Sequence, residues 1–138
     1  MSKLISEICN KKFMVVDDYE SMRVMMADHL KQIGVESLKF AKSGNEAFQQ
    51  MLSFKGTPDS IDFVITDLVM EDGNGIELVK KLRSQEDFKK LPILMVTSKA
   101  EVNLVLEAVK AGVNSYIVKP WQLDDLAKKI TEVYQKNK

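Results

Sequence analysis

An α/β domain built on a doubly wound, five-stranded parallel sheet is the fold class this sequence predicts, and three observations carry the prediction. Short apolar runs lie between loop signals: Phe13-Met14-Val15-Val16, Phe63-Val64-Ile65, Ile93-Leu94-Met95-Val96 and Tyr116-Ile117-Val118. Runs of that length read as strands buried on both faces. Segments with apolar residues at helical spacing alternate with them, which implies crossover connections and a parallel sheet. Each run also ends in polar groups: Asp17 and Asp18, Asp67, Thr97 and Ser98, and Lys119 before Pro120. In such sheets ligands bind beyond the carboxyl ends of the strands, so these polar groups converge on one site.

The elements follow in order. Residues 1–11 read as a polar leader with apolar Leu4, Ile5 and Ile8, compatible with a short helix, and residues 12–138 as the domain. The first strand covers residues 12–17. Met22, Met26, Leu30 and Ile33 then recur at helical spacing, and Gly34 supplies the stop. The methionines read as core filler. His29, the only histidine, reads as a surface residue, because no acid or cysteine stands near it at ligand spacing.

The second strand, residues 36–41, alternates Leu38 and Phe40 with Ser37 and Lys39, as a half-exposed edge strand should. Ser43-Gly44-Asn45-Glu46 is a capping box that opens a helix to residue 54. A turn from Gly56 through Pro58 to Ser60 leads into the central strand, which ends at Asp67. A loop to Gly75 precedes a helix carrying Ile76, Val79 and Leu82. Pro92 opens the fourth strand. Ser98-Lys99-Ala100-Glu101 is a second capping box, predicting a helix over residues 100–111 that Gly112 ends. The fifth strand covers residues 115–118, and Leu123, Leu126, Ile130 and Val133 line a last helix. Five helices therefore accompany the five strands.

Composition narrows the function. A chain of 138 residues suits one domain, large enough to bury roughly two-thirds of its unfolded surface. Twenty basic residues balance twenty acidic ones, which argues against a nucleic-acid domain, since phosphate backbones demand a basic face. No stretch reaches the length of a membrane span and the start lacks a signal-peptide core, so a cytoplasmic protein without a membrane partner is expected. The one cysteine, Cys9, cannot close an internal disulfide or build a zinc site.

The predicted site holds three carboxylates. Two unit charges about 4 Å apart repel by roughly 4 kcal/mol at an effective dielectric near 20, and Lys119 alone cannot neutralise Asp17, Asp18 and Asp67. A hard divalent cation can, and Mg²⁺ suits a small, partly hydrated carboxylate site. A lysine, a hydroxyl from Thr97 and a free carboxylate oxygen beside that cation equip the site to handle a phosphoryl group. The carboxylate would act as nucleophile, with the cation, Lys119 and Thr97 sharing the charge of the equatorial oxygens.

Val-Val-Asp17-Asp18, Ile-Thr-Asp67, Val-Thr97-Ser98 and Val-Lys119-Pro120 stand in the order and context of one family. The chain resembles the receiver domain of two-component response regulators over residues 12–135. With no output domain attached, it looks like a stand-alone receiver of the chemotaxis type. The resemblance implies the flavodoxin-like strand order 2-1-3-4-5 and a cis Lys119-Pro120 bond. It implies that Asp67 takes a phosphoryl group from a sensor histidine kinase. Asp18, Asp67 and the main-chain carbonyl of Val69 would then bind Mg²⁺, with Asp17 assisting. Thr97 and Tyr116 would form the switch, and Trp121 matches the aromatic that follows the Lys-Pro pair. The protein would be a phosphoacceptor, not a turnover enzyme, acting as a monomer or a weak phosphorylation-dependent dimer. Its downstream partner would be an effector such as a flagellar switch component or, in the alternative reading, a phosphotransfer protein for which it serves as relay intermediate or phosphate sink.

Two departures from the family pattern bear on the lifetime of the phosphorylated state. Glu71 stands where many members carry proline, and Val69 stands where a polar side chain could hold water. Val69 and Lys99 are accordingly expected to flank the path of attacking water. The segment 100–111 carries more apolar positions than one buried stripe can hold, so Leu104 and Val105 are expected to face solvent beside Tyr116 as a partner surface. Two rival functions are disfavoured. No Gly-x-Gly-x-x-Gly or Gly-Lys-Ser/Thr loop follows the first strand, as a nucleotide-binding enzyme would need. Position 69 is valine where an aspartyl-phosphate phosphatase needs a second acid.

Overall fold

The computed structural model describes residues 3–71 and 73–137. Helix α1 (Ser6–Cys9) precedes strand β1 (Lys12–Val16), α2 (Glu20–Gln32), β2 (Ser37–Ala41), α3 (Gly44–Phe54) and the central strand β3 (Phe63–Asp67). A two-residue hairpin, β4 (Val69–Met70) with β5 (Gly73–Asn74), leads into α4 (Gly75–Arg83). Then come β6 (Ile93–Thr97), α5 (Val105–Ala111), β7 (Ser115–Val118) and α6 (Leu123–Lys136). The main sheet is parallel throughout, in the order β2-β1-β3-β6-β7. Counting its own strands alone, that is the predicted 2-1-3-4-5.

Alternation along the strands builds two cores. Met14, Val16, Val64, Ile93 and Met95 point to the layer of α3, α4 and α5, where Ala47, Met51, Leu78, Leu82 and Ala108 meet them. Phe13, Val15, Phe63, Ile65, Leu94 and Val96 point the other way, onto Ile8 of α1, Met26 and Leu30 of α2, and Leu126 and Ile130 of α6. Successive side chains on a strand face opposite sides, so runs without polar breaks are required here. The Phe13 and Phe63 rings stack across the β1–β3 pair at 4.6 Å.

Four expectations are corrected by the structure, and the helix count agrees with it. Six α-helices are present among the described residues, the short helix allowed in the leader, α1, standing beside the five. Leu4 and Ile8 of that leader are buried in the second core, and the Leu4 amide donates to the Ile33 carbonyl at 2.9 Å. The helix expected over 100–111 is divided: residues Lys99–Leu104 form a 3₁₀ run before α5 begins. Phe40 on the edge strand is exposed, since among the described residues β2 has no strand beyond it, and Phe40 borders an open surface groove beside α2. His29 is half-buried rather than superficial; its Nδ1 accepts from Trp121 Nε1 at 3.0 Å. The stops were legible: Gly34 and Gly112 both adopt positive φ, where any Cβ is disfavoured.

Candidate functional site

Register places the polar strand ends side by side. Val16 pairs with Thr66, Asp67 with Val96, and Thr97 with Val118, so Asp17, Asp67, Thr97 and Lys119 all emerge at one edge of the sheet. Carboxylate oxygens of Asp17, Asp18 and Asp67 lie within 4.8 Å of one another. An open cleft of about 340 Å³ is lined by Asp18, Asp67, Val69, Glu71, Ser98, Glu101 and Lys119, with Tyr19 and Met70 beside them.

Each acid is held differently. Asp67 Oδ1 accepts from the Leu68 amide at 3.1 Å and faces Lys119 Nζ at 3.2 Å. Asp17 Oδ1 accepts from the Tyr19 amide at 2.9 Å, and Asp18 Oδ2 from the Glu71 amide at 2.8 Å. Asp18 Oδ1 is buried with no hydrogen-bond partner. A buried carboxylate oxygen left unpaired is costly, so its environment is built for something that binds there. Three clustered carboxylates with one orphaned oxygen suit a small hard cation such as Mg²⁺. Val69, whose main-chain carbonyl the family pattern would add, stands on the cleft wall.

Burial dominates the electrostatics. The Asp67 carboxyl is pushed up to about 6, first by desolvation, with the Asp17 charge adding and Lys119 opposing. Asp17 is also raised, again mainly by burial. Repulsion between the acids ranks behind desolvation, because Asp17 and Asp67 are each only about one-twentieth exposed.

Gly75 is a site residue that no spacing or motif singles out. A Cβ there would stand 2.3 Å from the Asp67 carbonyl oxygen, and the Gly75 amide donates to the Leu68 carbonyl at 2.7 Å. Only a residue without a side chain lets α4 start this close behind the acid. Glu101 is a second missed residue: it lines the cleft while its carboxylate caps the 3₁₀ run. The spacing showed the cap, and nothing in the spacing showed the cleft.

The model of the response regulator receiver domain matches residues 13–131. This chain belongs to the receiver-domain family. It is 36% identical over 127 residues to chemotaxis protein CheY-3 of Vibrio cholerae, covering 92% of this chain and 94% of that one. It is 39% identical over 126 residues to CheY1 of Helicobacter pylori, covering 91% and 98%. Among solved structures, the V. cholerae chemotaxis protein CheY4 superposes with a TM-score of 0.78 at 30% identity, covering 90% and 98%.

The receiver fold places the remaining candidates unevenly. Thr97 is fully buried, and its Oγ1 donates to the Ser98 carbonyl at 3.2 Å rather than toward Asp67. Tyr116 is half-buried, packed against the first core with Lys129 Nζ over its ring. The Lys119-Pro120 bond is cis. Val69 is exposed on the cleft wall, whereas Lys99 is exposed but does not line the cleft. Leu104 and Val105 are half-buried, Leu104 against the first core. The side chains that do face solvent are Val102, Leu106 and Val109, at helical spacing on the outer side. The apolar excess on this segment is as expected, but it emerges one turn-face away from Leu104 and Val105.

Proposed function

We propose that this receiver is a phosphoryl-group switch. Asp67 accepts a phosphoryl group from the phosphohistidine of a sensor histidine kinase, in the presence of Mg²⁺. One observation carries the reading: both described polar contacts of the Asp67 carboxylate fall on Oδ1, one of them Lys119, beside an acid whose buried Oδ1 has no partner. Oδ2 of Asp67 is then the nucleophile. Its lone pair forms the O–P bond as the donor's P–N bond breaks in line, the electron pair leaving with the imidazole nitrogen. Asp18, Asp67 and the Val69 carbonyl would hold Mg²⁺, with Asp17 assisting, and the ion would offset charge on the phosphoryl oxygens. Lys119 Nζ follows the phosphoryl oxygens as charge moves from the carboxylate to them. Thr97 turns its hydroxyl from the Ser98 carbonyl toward the phosphoryl group, and Tyr116 moves into the space this opens, a shift between two populated states.

The output surface on this reading is the face of α5, β7 and α6. Similarity to chemotaxis proteins along nearly the whole chain supports motility signalling in the cytoplasm, with a flagellar switch component as partner. No helix among the described residues is long and apolar enough to cross a membrane. Phosphoramidate or acetyl phosphate with Mg²⁺ should add one phosphoryl group per chain by intact mass, and EDTA should prevent it. Labelling that proceeds equally in EDTA contradicts the reading.

A further inference from the structure

Residues Lys99–Leu104 form a 3₁₀ run of six residues, long for a geometry whose hydrogen bonds are poorer than those of an α-helix and which often marks a hinge. The run continues directly into α5. It begins at Ser98, next to Thr97, and one side chain holds the junction. Glu101 Oε1 accepts from the Ser98 hydroxyl at 2.8 Å and from the Ser98 amide at 3.4 Å, while the Thr97 hydroxyl rests on the Ser98 carbonyl. Glu101 also lines the cleft that holds Asp18, Asp67 and Lys119. The only described cation bordering that cleft, Lys119, is paired with Asp67.

We infer that Glu101 is a positioning residue that latches the receiver in its resting state and is driven off by the phosphoryl group. The inference rests on the phosphoacceptor reading and adds a device to it. A phosphoryl group on Asp67 brings further negative charge into a cleft already lined by the acidic residue Glu101. Like charges near a protein surface, where the effective dielectric is about 20, repel more strongly than in bulk water. Glu101 moves outward, Ser98 loses both of its bonds to that carboxylate, and the 3₁₀ run is free to rewind with α5. Thr97 then has no fixed Ser98 carbonyl to hold it and turns toward the phosphoryl oxygens. The exposed side chains Val102, Leu106 and Val109 ride on the same segment, so rewinding carries the change to the surface.

The test uses the intact protein with Mg²⁺ and beryllofluoride as the phosphoryl mimic, followed by amide chemical shifts. Glu101→Ala removes the latch. Without beryllofluoride its Thr97, Ser98 and Tyr116 amide shifts should already lie partway toward the beryllofluoride-bound wild-type positions. It should bind beryllofluoride about tenfold more tightly, the scale of one charge-assisted hydrogen bond. Glu101→Gln keeps an acceptor for Ser98 but removes the charge; its unliganded shifts should stay near wild type while its affinity for beryllofluoride rises. Ser98→Ala should displace the resting shifts in the same direction as Glu101→Ala, by less. Wild-type shifts and wild-type affinity in Glu101→Ala would overturn the latch while leaving the acceptor reading intact. Resting shifts in Glu101→Ala that move in a direction unrelated to the beryllofluoride-bound state would overturn it too, since they would mark a lost helix cap alone. If wild type responds neither to beryllofluoride nor to phosphoramidate, the acceptor reading falls and the latch with it.

Discussion

Trp121 Nε1 donates to His29 Nδ1 at 3.0 Å, with the two rings edge to face at 90°. The pair ties α2 to the segment after β7. Trp121 also lines a small cavity with Asp17 and Asp67. As the only tryptophan in the chain, it is an isolated reporter for the acid cluster. Its emission should change when Mg²⁺ or beryllofluoride is added. His29→Phe, which removes the acceptor, should alter the starting emission and leave that ligand-induced change in place. Unchanged emission at concentrations that calorimetry shows to be saturating would mean that the cavity does not couple the ring to the acids.

Metal-free stability should carry the signature of Asp67. Its carboxyl titrates near 6 in the fold against an ordinary value of 3.8. Between those values the folded protein keeps a proton that the unfolded chain has lost. The contribution of this group is therefore complete below about pH 4 and is lost as pH rises through about 6, up to about 3 kcal/mol. In EDTA, wild-type stability minus that of Asp67→Asn should fall between those pH values when followed by urea denaturation. A difference that is flat, or that grows with pH, contradicts the buried-acid account.

The N-terminal segment should behave as part of the core. Ile8 is fully buried and Leu4 nearly so. Ile8→Ala should cost about 2–5 kcal/mol, as buried truncations of this size do. Loss of the Tyr134–Glu7 hydrogen bond through Tyr134→Phe should cost less, because that contact is exposed. A change of under about 0.5 kcal/mol for Ile8→Ala, the range of surface substitutions, would return these residues to the status of a leader.

How much was legible in the sequence follows from which signals are local. Strands β1, β3 and β6 could be read because burial on both faces demands unbroken apolar runs; the half-buried edge strand β7 shows in its short Tyr116-Ile117-Val118 run, and the polar residues that end these runs meet at one end of the sheet. The Ser43–Glu46 cap likewise works over three residues. Other features depend on distance. Residues 4–8 have one turn of pattern, too little for periodicity to show that Leu4 and Ile8 reach the core. His29 and Trp121 lie 92 positions apart, and no spacing rule joins them. A capping box signals a helical start but does not separate 3₁₀ from α geometry, so the segment after Ser98 read as one helix. Gly75 could be placed in a loop, yet its closeness to the Asp67 carbonyl exists only once α4 packs behind β3.

The lifetime of a phosphorylated state should depend on Val69. An acyl phosphate is lost when water attacks in line, and Val69 covers the cleft wall with a side chain that offers water no hydrogen bond. Lys99 lies outside the lining and reaches the opening only by extending its stem. Val69→Asn with Lys99→Glu should lose its phosphoryl group about tenfold faster, ~1.4 kcal/mol in the barrier, with Val69→Asn alone giving most of the change. Decay followed at equal Mg²⁺ without a phosphatase decides this, and equal rates would remove these positions from control of the water.

The claim on which the rest depends is that Asp67, and not Asp17 or Asp18 beside it, is the nucleophile. Borohydride reduction of an acyl phosphate converts the aspartate that carried it to homoserine, which marks the residue permanently. Protein phosphorylated with phosphoramidate and Mg²⁺ should, after reduction and peptide sequencing, show homoserine at position 67 and aspartate at positions 17 and 18. Homoserine at 17 or 18, or phosphate retained on Asp67→Asn in equal amount, would contradict the account.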